Sequence, residues 1–390
     1  MFAFAFALAA APIVIAVYAY LGYPLILLIV ARVRPRRAET PEGTQWPSVT
    51  VTVPVYNGVS RIRGTLEGLL HLDYPVDRLQ VLVISDASTD GTDDVVRELA
   101  GSGIELLRLP RRIGKTAAEN AALAVARGEI IVNVDATILV PAESLKPLVR
   151  VFDDPTIGVA SGRDISVGHI GQSGNGAESS YTGYEMWVRD LETQVGSIVG
   201  ASGCFYGIRR SIHARALPIG LSWDFASPLV AQKQGYRSVS VPAAVCIVPR
   251  TAEIRTEITR KVRTMARGLR TLFYLRALMN PFRYGGFALM LISHKLLRWV
   301  PYLLAPISLV ALGLLAVQSV IARLILGLVL AGLLVGTVVV YRRKSTAPAP
   351  VALAGFGVAV LAAGILAWWD VFRQAQMATW EPTPRPDVQT

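Results

Sequence analysis

The sequence predicts a mostly parallel α/β domain carried on transmembrane helices. Three observations predict it. The 390 residues are 52% hydrophobic and only 17% charged, against roughly 25% charged in an average soluble domain. Four apolar stretches, at 5–30, 297–317, 320–341 and 351–369, each reach the ~20 residues of a bilayer-crossing helix. Between Trp46 and Pro249 short apolar runs alternate with segments of helical spacing, the pattern of a parallel sheet with helices on both faces.

The first stretch offers small residues, "ALAAAP", as a signal-peptide cleavage site would. A signal peptide carries its positive charge before the apolar run. Here no charged residue precedes Arg32, and Arg32, Arg34, Arg36 and Arg37 follow. Residues 1–31 therefore read as an anchor with its amino end outside and its carboxyl end in the cytosol. Strand-like runs come next at 49–53, 80–84, 104–109, 129–134, 158–160 and 238–241. The helical segments "RIRGTLEGLLHL", "TDDVVRELA" and "KTAAENAALAVARG" lie between them, and one cytosolic domain over 46–250 accommodates the set.

From 251 the pattern changes. Val262, Met265, Ala266, Leu269, Leu272 and Phe273 share one helical face, while Arg260, Arg263, Arg267 and Arg270 share another. That is an amphipathic helix at a membrane surface, within an interface region 251–284. Three crossing helices over 285–372 and a tail over 373–390, expected to be disordered after Trp380, follow. One helix before the domain and three after put both termini outside the plasma membrane. Arg342, Arg343 and Lys344 then fall in a cytosolic loop.

The net charge of +11 does not point to nucleic acid. The basic residues sit beside the apolar stretches, where they meet anionic headgroups. Cys204 and Cys246 form no CxxC and the four histidines have no metal spacing, so no thiolate or imidazole metal cage is expected. Cys246, inside "AAVCIV", reads as core.

Two strands run into carboxylates. "VISDASTDGT", residues 83–92, ends at Asp86 and Asp90, and "IIVNVDATI", residues 130–138, ends at Asp135. Asp, Ser and Gly are turn formers and helix caps, which accounts for one such site. In open α/β sheets, however, ligands bind beyond the carboxyl ends of the strands, and "VPVYNG", 53–58, ends the first strand there too. A nucleotide-dependent transferase needs four things at such a place. One carboxylate accepts hydrogen bonds from a base or ribose. A second holds a divalent cation on a diphosphate. A lysine or arginine stabilises the same leaving group. A separate carboxylate deprotonates an acceptor hydroxyl. Asp86, Asp135, Lys115 or the Arg260 and Arg263 pair, and Asp224 are the candidates.

"VTVPVYNG", "VISDASTDGT", "RIGKTAAENAALAVARG", "VNVDATI", "GASGCFYGIRRS", "SWDFASPLVAQKQGYRSV" and "RKVRTMARGL" follow one another in that order. Together they resemble a membrane-bound family 2 glycosyltransferase, the group of cellulose, hyaluronan and chitin-oligosaccharide synthases, over about residues 48–270. One helix before and three after resembles the chitin-oligosaccharide type. The resemblance implies a GT-A fold, an inverting transfer, a UDP-sugar donor, and Mg²⁺ or Mn²⁺. It places Pro54, Tyr56, Asn57, Asp86, Lys115 and Asn120 at the nucleotide-sugar site, with Asp86 on uridine. Asp135 corresponds to the first acid of the DxD metal motif and Asp224 to the general base. Arg260 and Arg263 fall where the QxxRW arginine meets the diphosphate.

Three departures accompany it. Thr137 replaces the second acid of DxD, Trp223 replaces the acid before Asp224, and the QxxRW tryptophan is missing. The last argues against processive, cellulose-like synthesis more than against transfer. The expected activity is transfer to a growing glycan or lipid-linked acceptor at the cytosolic membrane face. Two alternatives stand beside it: transfer of one sugar to a polyprenyl phosphate, which needs no base, and a non-catalytic nucleotide-sugar-binding scaffold. Partners are the donor, the acceptor and the bilayer; the oligomeric state stays open.

Overall fold

Seven strands form the sheet of the α/β unit: β1 (Val49–Val55), β2 (Leu79–Ser85), β3 (Ile104–Arg108), β4 (Ile130–Val134), β5 (Ile157–Val167), β6 (Phe205–Arg209) and β7 (Arg237–Pro249). Their order is β3-β2-β1-β4-β6-β5-β7. β1 runs parallel to both β2 and β4, β2 to β3, and β5 to β7, while β6 is antiparallel to β4 and β5. The sheet is thus mostly parallel, as expected. The computed structural model describes residues 2–34, 45–167, 173–249, 254–342 and 349–374. Arg36, Arg37, Arg343, Lys344 and the tail beyond Gln374 lie outside them.

Sequence periodicity explains β1. Val49, Val51, Val53 and Val55 alternate with Thr50 and Thr52, and all six are at most 1% exposed. β-Branched side chains suit this doubly covered strand. The threonines need polar partners once buried. Thr50 Oγ1 donates to Gln80 Oε1 at 2.7 Å, and Thr52 Oγ1 donates to Asn133 Oδ1 at 2.9 Å. Entry into β4 is equally constrained, because a Cβ on Gly128 would lie 2.3 Å from the Thr50 amide nitrogen.

All six expected strand runs appear. β6 is an addition, five residues long, containing Gly207 and ending in Arg209. Its Phe205, Tyr206 and Ile208 are buried. The helix Ser173–Val195 is another addition, since its glycines and serines hide helical spacing. The predicted helices appear as Ile62–Leu70, Thr92–Glu98 and Lys115–Val125.

The sheet order turns at β1, with β2 and β3 on one side and β4 on the other. Such a switch point opens a crevice at the carboxyl ends of the diverging strands. Asn57, Asp86 and Asp135 follow β1, β2 and β4 there.

In the helical unit, four helices are long and apolar enough to cross a membrane: Phe2–Val33, Pro281–Gln318, Val320–Tyr341 and Leu353–Phe372. The second is longer than its expected apolar stretch. The first and second pair through Tyr18 Oη to Ser293 Oγ at 3.0 Å and Ser308 Oγ to the Ala9 carbonyl at 2.7 Å. Small residues let the helices close up: a Cβ on Gly364 would fall 2.3 Å from Tyr302 Cγ, and one on Gly336 2.5 Å from the Ala354 carbonyl oxygen. The amphipathic helix is Ile254–Tyr274. Its Ala266, Leu269 and Leu272 are fully buried, and the Arg270 guanidinium donates to the Asp370 carbonyl at 3.3 Å. The apolar face therefore packs on protein within this unit.

Candidate active site

The polar run after β2 first does local work. Asn57 and Ala87 adopt left-handed backbone, with φ of 48° and 57°, and the two loops that hold them are sewn together. The Asn57 amide donates to Ser88 Oγ at 3.1 Å, and the Thr89 amide donates to Asn57 Oδ1 at 2.8 Å. The Gly58 amide donates to Thr92 Oγ1 at 2.9 Å and the Val59 amide to Asp90 Oδ2 at 3.0 Å. Burial raises the Asp90 carboxyl, but the Thr92 hydroxyl and the Val59 and Thr92 amides outweigh it and hold the group below its ordinary range. Left-handed non-glycine residues held by such a network concentrate at functional sites.

Asp86 is 2% exposed. Its Oδ1 accepts the Ile113 amide and its Oδ2 the Gly114 amide, both at 2.7 Å. Gly114 has φ of 101°, which a side chain would strain. Asp86 therefore fixes where the helix Lys115–Val125 starts. Pro54 is buried within β1. Tyr56 lies half-buried with the Arg112 guanidinium 3.7 Å from its ring centre, a flat, cationic surface of the kind on which bases stack.

Lys115, on the first turn of that helix, reaches β4. Its Nζ donates to Asp135 Oδ1 at 2.6 Å and to the Gly203 carbonyl at 3.1 Å, with Glu119 Oε1 at 3.9 Å. Burial alone would lower the Lys115 pKa. Asp135, Glu119 and Asp224 outweigh it and hold the ammonium above its ordinary value, so this cation is permanent.

Asp224 lies in the first turn of the helix Trp223–Lys233. The Ser222 hydroxyl donates to its carboxylate, and its backbone carbonyl accepts the Ala201 amide at 3.1 Å. A Cβ on Gly203 would stand 3.3 Å from Asp224 Oδ2. Gly203 thus touches both sides of the site: its carbonyl receives Lys115, and its Cα faces the Asp224 carboxylate. The Lys115 ammonium, itself paired with Asp135, and the Asp224 carboxylate meet at a single glycine.

Among the described residues no group of three His, Cys, Asp or Glu side chains could hold a metal ion. Asp135 Oδ1 is engaged by Lys115, yet the side chain is 26% exposed. This donor set does not make an all-protein cage. It fits a hard cation that takes one carboxylate oxygen and completes its shell with water and substrate phosphate, as Mg²⁺ commonly does.

The Asn120 amide is spent on the Leu217 backbone and the Trp223 indole. Arg260 and Arg263 lie on the helix Ile254–Tyr274 of the other unit, both half-buried. Sequence reasoning passed over four residues. Glu119, 2% exposed, was signalled by its place four residues after Lys115 on a helix. Tyr206 is buried beside Glu119, Asp224 and Asp135, and burial foremost raises its phenol. Asp164 accepts the Ser202 hydroxyl at 2.5 Å and the Cys246 thiol at 3.4 Å; nothing in "SGRDISV" marks Asp164, and nothing in "ASGC" marks Ser202. Cys246 is core, as expected, and neither cysteine is in a disulfide.

A family description, "Glycosyl transferase family 2", matches residues 50–216. An N-acetylglucosaminyltransferase of Mesorhizobium japonicum is 28% identical over 242 residues, covering 56% of this chain and 55% of that protein. An N-acetylglucosaminyltransferase of Rhizobium leguminosarum bv. trifolii is 31% identical over 139 residues, 33% of this chain and 76% of that one. A β-monoglucosyldiacylglycerol synthase of Synechocystis sp. is 30% identical over 162 residues, covering 40% and 34%. The chain thus spans about half the length of the Mesorhizobium relative and about a third of the Synechocystis one. Among solved structures, the mannosyltransferase PcManGT of Pyrobaculum calidifontis, in complex with GDP-Man and Mn²⁺, superposes with a TM-score of 0.70 at 24% identity. It covers 95% of this chain and all of that one, and the fold is the one expected, GT-A.

Proposed function

This chain belongs to glycosyltransferase family 2, and from that premise we propose that it transfers a sugar from a UDP-sugar to a glycan or lipid-linked acceptor at a membrane surface. The observation that carries the reading is the convergence on Gly203. A permanent ammonium with one carboxylate stands on one side and a second carboxylate on the other. A diphosphate leaving group needs the first pair; an acceptor hydroxyl needs the second.

In this reading the nucleotide lies across the loops after β1 and β2, with its base on Tyr56 and Arg112. Asn57 shapes that loop. Asp86 accepts the Ile113 and Gly114 amides, and each of its oxygens keeps a lone pair with which it would meet uridine. Lys115 faces the diphosphate. Asp135 would hold Mg²⁺ or Mn²⁺, which would neutralise the diphosphate as it leaves. The acceptor oxygen attacks the anomeric carbon, and its proton passes to Asp224. The carbon–oxygen bond to the diphosphate breaks, and UDP departs with both electrons of that bond. The configuration inverts because attack and departure occur on opposite faces. The helices anchor this chemistry beside a hydrophobic acceptor, with both termini outside and the catalytic unit cytosolic.

The names of the two N-acetylglucosaminyltransferases make UDP-N-acetylglucosamine the first donor to try. The test incubates the purified full chain with UDP-N-acetylglucosamine, UDP-glucose and GDP-mannose, with diacylglycerol, polyprenyl phosphate or chitin oligosaccharides as acceptors. Products are read by mass. Transfer from a UDP-sugar is expected. Binding of all donors with no nucleotide release under any acceptor would leave the scaffold reading in its place.

A further inference from the structure

We propose that Asn120 and Trp223 form a positioning clamp that fixes Asp224 relative to Lys115, and this rests on the transfer reading above. The clamp joins one face of the helix Lys115–Val125 to the seven residues that lead into Asp224. Asn120 Nδ2 donates to the Leu217 carbonyl at 2.7 Å. Asn120 Oδ1 accepts the Leu217 amide at 3.0 Å and the Trp223 indole N–H at 3.1 Å. One turn earlier, Thr116 Oγ1 donates to the Leu221 carbonyl at 2.7 Å. Four hydrogen bonds from two side chains at i and i+4 therefore hold a segment about a hundred residues away in sequence.

The geometry leaves the amide one orientation. Its oxygen faces two N–H donors, which use its two lone pairs, and its nitrogen faces a carbonyl. Trp223 is held on its other side as well. It is 2% exposed, and His213 packs against it at 4.2 Å between ring centres. Ser227 Oγ donates to the Trp223 carbonyl at 2.7 Å and lies 2.8 Å from His213 Nε2. With Trp223 immobile, the next residue, Asp224, has little freedom. Lys115 rides the same helix five positions before Asn120. One rigid helix thereby sets the spacing between the cation on the leaving group and the base on the acceptor. A residue that only filled the core would not need three polar bonds on one amide; their cost when buried is justified by orientation.

Trp223→Phe keeps the ring over His213 and deletes only the N–H. Asn120→Ala deletes the amide. Both are assayed in the purified full chain with UDP-N-acetylglucosamine, or with whichever of the two other donors the panel selects. A 1 Å misplacement of a catalytic group can cost about a hundredfold. We expect kcat to fall by about 10- to 100-fold in each, with the donor KM within about twofold. Because the two residues share a bond, the double variant should lose little more than the worse single. Should Trp223→Phe keep kcat within about twofold while Asp224→Asn is inactive, the clamp is wrong and the transfer reading stands. Losses that multiply in the double variant would also overturn it. If Trp223→Phe fails to accumulate, Thr116→Val removes the Leu221 bond; an unchanged kcat there overturns the clamp too. Full transfer by Asp224→Asn would remove the base itself, and so the reading on which the clamp depends.

Discussion

Lys115 Nζ lies 2.6 Å from Asp135 Oδ1, so the carboxylate proposed to hold the metal already carries an ammonium. The pair joins the start of a helix to the end of a strand. In the proposed transfer it would divide the work at the diphosphate between a fixed charge and an exchangeable one. A cation at Asp135 has to share that carboxylate with Lys115, and like charges at such range repel.

Lys115→Met should therefore move two quantities in opposite directions. Transfer should fall by about 10² to 10³, the usual effect of removing one transition-state charge donor. Mn²⁺ affinity in the presence of UDP should rise, because the competing ammonium is gone. Electron paramagnetic resonance of bound Mn²⁺ reads the second quantity without turnover. Weaker Mn²⁺ binding in this variant would show that Lys115 assists the metal instead of competing with it.

Removal of the metal gives a related expectation. EDTA should stop transfer, and Mg²⁺ or Mn²⁺ should restore it. Thr137→Asp supplies a second carboxylate near Asp135 and should lower the Mn²⁺ concentration needed for half-restoration. Asp135→Ala should nearly abolish transfer at any concentration. Undiminished transfer in EDTA would assign the diphosphate to Lys115 with no metal beside it.

How much of this was legible in the sequence follows from where the signals lie. β1 and β4 announce themselves because β-branched side chains dominate both runs, and Asp135 because it ends such a run. Asp86 shows a limit of that logic. A carboxylate at a strand end is visible, but its partners, the Ile113 and Gly114 amides, are set by a loop whose path has no periodicity. Asn120 shows the same limit: it sits on the expected helix, yet its bonds to Leu217 and Trp223 cross 97 and 103 residues. Gly203 was unreadable for a further reason. What matters there is the lack of a Cβ beside Asp224, and a glycine in "ASGC" looks like any turn.

His213 provides a pH expectation outside the catalytic chemistry. Its ring is 3% exposed, and burial pushes its pKa down to about 4 from 6.5. Ser227 spends its proton on the Trp223 carbonyl, so His213 Nε2 carries the hydrogen of their contact and the ring is neutral. The folded pKa lies below the unfolded one. The contribution is therefore complete above about pH 6.5 and is lost as pH falls toward 4, in total about 3 kcal/mol at 1.36 kcal/mol per unit. Thermal unfolding of the full chain in detergent between pH 7 and 4 should show a steep drop that His213→Gln flattens. An equally steep drop in that variant would place the titrating group elsewhere.

Asp224 bears most of the functional weight, and its two readings separate by substitution. As a purely structural residue it would stabilise the amino end of the helix Trp223–Lys233. The N-cap there is Ser222, whose hydroxyl makes no capping bond and donates to the Asp224 carboxylate instead. What Asp224 gives the helix is then a charge near the positive end of its dipole, worth about 0.3 to 1 kcal/mol. As a general base it takes the acceptor proton, and losing that costs about 10² to 10⁴ in rate, or roughly 3 to 5 kcal/mol of barrier at 1.36 kcal/mol per decade. Asn is nearly isosteric and still accepts from Ser222, but it cannot take a proton at neutral pH. Asp224→Asn should therefore fold, bind UDP-sugar with an affinity close to the parent's, and lose transfer by at least about a hundredfold. Calorimetric UDP-sugar titration and product mass on one preparation measure both. Near-parental transfer would exclude the base role and favour an acceptor that is already anionic, such as a polyprenyl phosphate.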